Sequence, residues 1–166
     1  MATITLKGSP IHTVGDLPSV GSIAPDFTLT DGALQDVELA SFAGQKKILS
    51  MVPSLDTGVC AQSAERFNQE VAGLDGVTCI NISADLPFAA GRVCESRNIK
   101  NVVTLSTFRS PEFGRTYGVE IVDGPMAGLL SRAVVVTDEE NKILHTQQVP
   151  EIGEEPDYDA VLAALQ

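Results

Sequence analysis

Residues 48–60 read Ile48-Leu49-Ser50-Met51-Val52-Pro53-Ser54-Leu55-Asp56-Thr57-Gly58-Val59-Cys60. The first five are apolar enough for a buried strand. From Cys60 onward, Cys60, Ala64, Phe67, Val71 and Leu74 recur at intervals of four and three. That spacing draws one apolar stripe on a helix spanning 60–74, with Arg66, Gln69 and Glu70 off it. Cys60 therefore falls in the first turn of a helix that leaves the end of a strand. Unpaired N–H groups and the positive end of the helix dipole favour an anion there, so the thiol is a thiolate candidate. The competing reading is a small buried hydrophobe at the head of the stripe. Thr57 is near enough to turn its hydroxyl toward the sulfur, and Pro53 restricts the backbone on the way in.

Outward from this turn, strands and helices alternate. Upstream, Thr3–Leu6 and Ile11–Val14 flank Gly8-Ser9-Pro10 and predict a hairpin. Ala24–Thr30 enters a strand, Asp31-Gly32 marks a turn, and Val37-Glu38-Leu39 is a short strand. Downstream, Val77–Ser83 is a nearly continuous apolar strand suited to the middle of a sheet. A helix over Phe88–Glu95 carries Cys94. Val102–Leu105 is a strand, and Ser110-Pro111-Glu112 starts a short helix. Ala133–Thr137 is a strand that pairs back with 142–149 across an acidic turn. Pro156-Asp157 opens a last helix carrying Val161, Leu162 and Leu165. The pattern predicts an α/β fold, one domain over 1–166, with a mixed central sheet flanked by helices and an N-terminal β-hairpin extension.

Composition narrows the function. The chain has 166 residues and a formal net charge of -11. An acidic surface argues against nucleic acid or an anionic membrane as partner. No apolar run reaches the length of a membrane span, and the N-terminus lacks a signal-peptide core. A soluble, cytoplasmic protein is the expectation. The three cysteines, Cys60, Cys79 and Cys94, include no Cys-x-x-Cys pair, and His12 and His145 lie far from them in sequence. That spacing argues against a metal site.

The spacing Pro53-x-x-x-Thr57-x-x-Cys60 after a buried strand resembles the active-site signature of the peroxiredoxins. Ala24-Pro25-Asp26-Phe27 is similar to their entry to the first core strand. The run Ser54–Cys60, with Ser83-Ala84-Asp85-Leu86-Pro87-Phe88-Ala89 and Leu105-Ser106-Thr107-Phe108-Arg109, resembles the bacterial thiol peroxidases, which are atypical two-cysteine peroxiredoxins. The likeness spans nearly the whole chain. It implies a thioredoxin-like fold. It also implies a peroxidatic thiolate at Cys60 that takes oxygen from hydrogen peroxide or an organic, including lipid, hydroperoxide and becomes a sulfenic acid. Cys94 matches the resolving cysteine, which would close an intramolecular disulfide. Thr57 would hydrogen-bond the thiolate, Arg132 would supply fixed positive charge to it, and Pro53 would shield it. The resemblance further implies re-reduction by thioredoxin, a homodimer packed through loops near the site, and no metal, haem or flavin.

The remaining residues have quieter readings. Cys79 lies in a strand and is expected to be structural, His12 and His145 to be surface or cross-strand residues, and Asp56 a turn or interface residue. Arg109 could support the substrate pocket, a dimer interface or neither. Apolar residues in 121–130 could line a dimer contact or the substrate's approach. The rival from another class is a non-catalytic redox sensor or binding module using the same Cys60–Cys94 switch. A cysteine hydrolase would want a histidine base beside Cys60.

Overall fold

The computed structural model describes all 166 residues. Its elements are β1 (Thr3–Leu6), β2 (Ser9–His12), β3 (Thr28–Thr30), β4 (Asp36–Glu38), β5 (Lys46–Met51), α1 (Gly58–Val71), β6 (Val77–Ser83), α2 (Pro87–Ser96), β7 (Val102–Ser106), α3 (Phe113–Thr116), β8 (Ala133–Thr137), β9 (Ile143–Gln148) and α4 (Tyr158–Ala164). A single 3-10 turn, Leu39–Phe42, follows β4. The main sheet has seven strands in the order β4-β3-β7-β6-β5-β8-β9, and β1 and β2 form a separate two-stranded ribbon.

At the centre, β5, β6 and β7 run parallel. β8 pairs antiparallel with β5, β9 with β8, and β3 with β7. The central strands are buried on both faces, which is why they read as apolar runs rather than strict alternations. Side chains still alternate between two cores. Leu49, Met51, Ile80, Ile82, Ala133 and Val135 join one core with Phe113 and Tyr117 of the α3 region. Ile48, Cys79, Val134 and Val136 join the other with residues of α1, α2 and α4. Phe67 of α1 meets Tyr158 of α4 edge-on at 5.2 Å between ring centroids. Burying a side chain of that size contributes about 2–3 kcal/mol.

Several boundaries differ from expectation for local reasons. The hairpin turns at Lys7 and Gly8, both with positive φ (51° and 81°). A two-residue turn of that hand lets pairing resume at Ser9, so β2 precedes the expected Ile11–Val14 run. α1 begins at Gly58 and ends at Val71, leaving Leu74 outside the helix and 40% exposed. The stripe above it holds, with Cys60, Ala64, Phe67 and Val71 all buried. The segment 24–27 precedes β3 rather than belonging to it. α4 is capped as its sequence suggests, with the Asp157 side chain accepting from the Ala160 N–H at 3.0 Å.

Candidate active site

The parallel strands β5 and β6 end on the same side of the sheet, and the chain leaving β5 makes the turn 52–57 there. Val52 N–H donates to Ile82 O at 3.0 Å, extending the ladder one step. Pro53 is buried just beyond it. The turn is then fastened from the next loop. Asp85 accepts from Ser54 Oγ at 2.7 Å, from Leu55 N–H at 2.7 Å and from Ser83 Oγ at 2.7 Å. Leu55 is thereby driven into the core with no exposure. Thr57 is the N-cap residue, and Gly58, Val59 and Cys60 are the first three helical positions.

Cys60 is fully buried and free. Arg132 reaches it by topology. β8 is antiparallel to β5 and its first residue, Ala133, sits opposite Met51, the last residue of β5. The residue before β8 therefore arrives at the mouth of the turn. Arg132 Nη2 donates to Cys60 Sγ at 3.2 Å across 72 residues of sequence. Arg132 Nε donates to the Ile152 carbonyl at 2.9 Å, while Nη1 is buried without a partner. Arg132 is 3% exposed, and no carboxylate pairs with it among the ion pairs of the chain. A buried cation needs compensation, and Cys60 Sγ is the atom within reach that can carry negative charge.

The other expected residues fall differently. Thr57 does not bond the sulfur. Its hydroxyl donates to Ser54 O at 3.0 Å, and the side chain is exposed. A threonine hydroxyl has one proton, and a carbonyl three residues back is its nearest competitor. Cys94 lies in the last turn of α2, half-buried and free. Burial pushes its thiol up, and a hydrogen bond with the Thr104 side chain pulls it partly back. Cys79 is fully buried between Ile48 of β5 and Val102 of β7, and burial pushes its thiol far up. It is a core residue, as its strand context predicts. His145 is cross-strand to Val136. His12 lies on the ribbon, where its Nδ1 sits 2.6 Å from Asp123 Oδ2. Neither histidine has a hydrogen bond to Cys60. Arg109 ties the β7–α3 loop to the β3–β4 hairpin, donating to Leu34 O at 3.1 Å and Asp36 Oδ1 at 3.4 Å. Asp56 is an exposed turn residue. Ile121 and Leu130 are buried within the chain's own packing, so of the large apolar residues in 121–130 it is Val122 that stands exposed.

Sequence reasoning overlooked Asp85 as a site residue. It reads as an ordinary helix-entry aspartate before Leu86-Pro87, and only the approach of β5 and β6 makes it the anchor of the Cys60 turn. The available signal was that Asp85 and both of its serine partners, Ser54 and Ser83, stand within the two quoted motifs.

A strand–turn–helix that buries a cysteine against an arginine, on a mixed sheet of this order, defines a class of thioredoxin-like proteins. The Redoxin family model matches residues 19–162, and the chain belongs to that family. It is 50% identical over 165 residues to a thiol peroxidase of Mycobacterium bovis (strain ATCC BAA-935 / AF2122/97), covering 99% of each chain. That likeness places it among the thiol peroxidases, enzymes of the peroxiredoxin type with thiol-dependent peroxidase activity. The structure of a peroxiredoxin-like protein from Aquifex aeolicus matches with a TM-score of 0.93 at 41% identity, covering 99% of this chain and 96% of that one. A thiol peroxidase from Chromobacterium violaceum matches with a TM-score of 0.92 at 25% identity, covering 99% and 95%. No helix is long and apolar enough to cross a membrane.

Proposed function

We propose that Cys60 is the peroxidatic nucleophile, that Cys94 resolves it, and that thioredoxin returns the disulfide to two thiols. The observation that carries this reading is the 3.2 Å contact between Arg132 Nη2 and Cys60 Sγ in a buried setting. A charge-assisted hydrogen bond of that kind is stronger to a thiolate than to a thiol. The thiolate attacks the terminal oxygen of a hydroperoxide. The S–O bond forms, the O–O bond breaks, and its electron pair leaves with the alkoxide or hydroxide, which takes up a proton. Arg132 Nη1, which has no partner within the chain, would donate to one of those oxygens. Removing such a donor typically costs about 10²–10³ in rate.

The sulfenic acid then condenses with the Cys94 thiol and loses water. In the reduced protein both cysteines are free, with Cys60 Sγ held by Arg132 at the head of α1 and Cys94 in the last turn of α2. Disulfide geometry needs the two Cα atoms within about 7 Å. The reading has the helix ends that carry them unwind locally during the cycle to bring the two sulfurs together. Matching hydrogen-exchange rates for 54–64 and 90–99 in the reduced and oxidised forms would sink that step. Thr57 must release Ser54 O to serve the sulfur, so its orienting role belongs to the substrate-bound form. Pro53, buried at the strand end, shields the sulfur from water.

The substrates in this reading are hydrogen peroxide and organic, including lipid, hydroperoxides, and the enzyme acts as a cytoplasmic homodimer. Exposed Leu86 and Phe108, on the loops that follow β6 and β7, and exposed Phe88, in the first turn of α2, support packing near the site. The test is peptide mapping after one equivalent of hydrogen peroxide, followed by turnover with thioredoxin, its reductase and NADPH. A Cys60–Cys94 disulfide with Cys79 free, and steady NADPH consumption, is the expected result. A disulfide without turnover would favour a redox sensor; an inert Cys60 would overturn the assignment.

A further inference from the structure

The N-terminal ribbon and the site arginine meet at one short segment, Pro150–Gly153. We infer that Glu151 is a positioning residue for Arg132, and that the β1–β2 ribbon acts through it to hold the guanidinium on Cys60; this rests on the role proposed above for Arg132. Glu151 Oε1 accepts from Thr5 Oγ1 at 3.1 Å and from Gly8 N–H at 2.9 Å, and Oε2 accepts from Gly153 N–H at 2.9 Å. One carboxylate thus joins the first strand of the ribbon, its turn, and the residue just past Ile152. Backbone bonds run beside it, from Thr5 N–H to Pro150 O at 2.8 Å and from Ile152 N–H to Thr5 O at 2.9 Å.

Ile152 carries the connection inward. Its side chain is buried with Ile4, Ile11 and Ile121 in a small core of the ribbon's own. Its carbonyl accepts from Arg132 Nε at 2.9 Å, and the same guanidinium donates to Cys60 Sγ. That carbonyl is the only protein partner of the guanidinium besides the sulfur. A guanidinium is a rigid plane, so fixing Nε fixes the direction of Nη2. A segment that shifts by a fraction of an ångström turns the donor off the sulfur. The ribbon is a small appendage that forms no part of the main sheet, yet one of its docking residues supplies this carbonyl.

The test compares wild type with Glu151→Ala, Glu151→Gln, Thr5→Val, Arg132→Gln and the Glu151→Ala/Arg132→Gln pair. Two quantities are read on the Cys60 peptide by mass spectrometry. The first is the rate of oxidation by hydrogen peroxide in a single turnover. The second is the ratio of alkylation rates with iodoacetate and iodoacetamide. The ratio reports positive charge at the sulfur, and general loosening, which admits both reagents, does not lower it. Glu151→Ala is expected to slow oxidation about ten- to a hundredfold and to lower the ratio toward that of Arg132→Gln. Glu151→Gln, which can keep the Oε1 bonds but not the one from Gly153, should fall between. In the Arg132→Gln background Glu151→Ala should add nothing. If Glu151→Ala fails to fold, Thr5→Val decides, with a smaller loss and the same lowered ratio expected. A wild-type rate and ratio in the Glu151 or Thr5 variants, while Arg132→Gln is slow, overturns this inference alone. An equal further loss in the double variant also overturns it. An Arg132→Gln protein as fast as wild type overturns the reading of the site itself.

Discussion

The Leu55 backbone N–H donates to Asp85 Oδ2 at 2.7 Å, joining the turn after β5 to the turn after β6. Together with the two serine contacts, this bond decides where the helix carrying Cys60 begins. Asp85→Ala removes three hydrogen bonds to a half-buried carboxylate and leaves the Leu55 N–H without its acceptor. A loss of about 1.5–3 kcal/mol is expected, read as the shift of the urea midpoint, together with slower oxidation of Cys60. An Asp85→Ala protein with wild-type stability and rate would mean the turn is held by α1 alone.

Arg132 holds two acceptors with one planar group, Ile152 O through Nε and Cys60 Sγ through Nη2. Lysine keeps the charge but lacks the fork. Arg132→Gln should slow the first oxidation about 10²–10³-fold. Arg132→Lys should recover only part of that loss. Full recovery with lysine would show that charge near the sulfur suffices and that direction does not matter.

The cysteines should separate cleanly by reactivity. Burial holds both the Cys79 and Cys94 thiols in the protonated form, and Cys79 has no exposure. In native protein a disulfide reagent should leave Cys79 unmodified until the chain unfolds. Cys94→Ser should perform one oxidation and stop at a Cys60 sulfenic acid that dimedone captures. A Cys60–Cys79 disulfide in that variant would contradict the core role of Cys79.

Glu151 also predicts a pH dependence. The backbone N–H groups of Gly153 and Gly8 hold its carboxyl below the ordinary value of 4.5. A carboxyl depressed in the folded state stabilises the fold above its unfolded value, and that contribution is lost as pH falls through the folded value. Wild type should therefore be more stable than Glu151→Gln above about pH 5, with the difference closing under acid. Urea unfolding of both proteins across that range measures it. A difference that grows on acidification would contradict the assigned direction.

Much of this molecule was legible in the chain. β6 and β8 stand at their expected residues because an apolar run bounded by turn residues, here Asp75-Gly76 before Val77 and the acidic 138–141 turn after Thr137, has few other readings. The stripe of α1 announced which face is buried, and the Pro53–Thr57–Cys60 spacing announced the candidate nucleophile. Element ends were less legible. The Lys7-Gly8 turn needs positive φ at a lysine, which a Gly8-Ser9-Pro10 cluster does not disclose. Thr57 looked free to face the sulfur, yet a carbonyl three residues back takes its only proton.

Local order is written in near neighbours: periodicity selects strand or helix, and a cysteine at the head of a helix meets unpaired N–H groups wherever that helix lies. The sequence by itself therefore determined the alternating α/β plan, the buried stripe and Cys60 as the residue to watch. Whether Cys60 has a counter-charge depended on Arg132 arriving across 72 residues, which requires β8 to lie antiparallel beside β5 in one register. What aims that arginine depended on Ile152, Glu151 and a ribbon from the other end of the chain. Contacts of that range are set by how strands pair and cores close, and no local pattern of residues carries them.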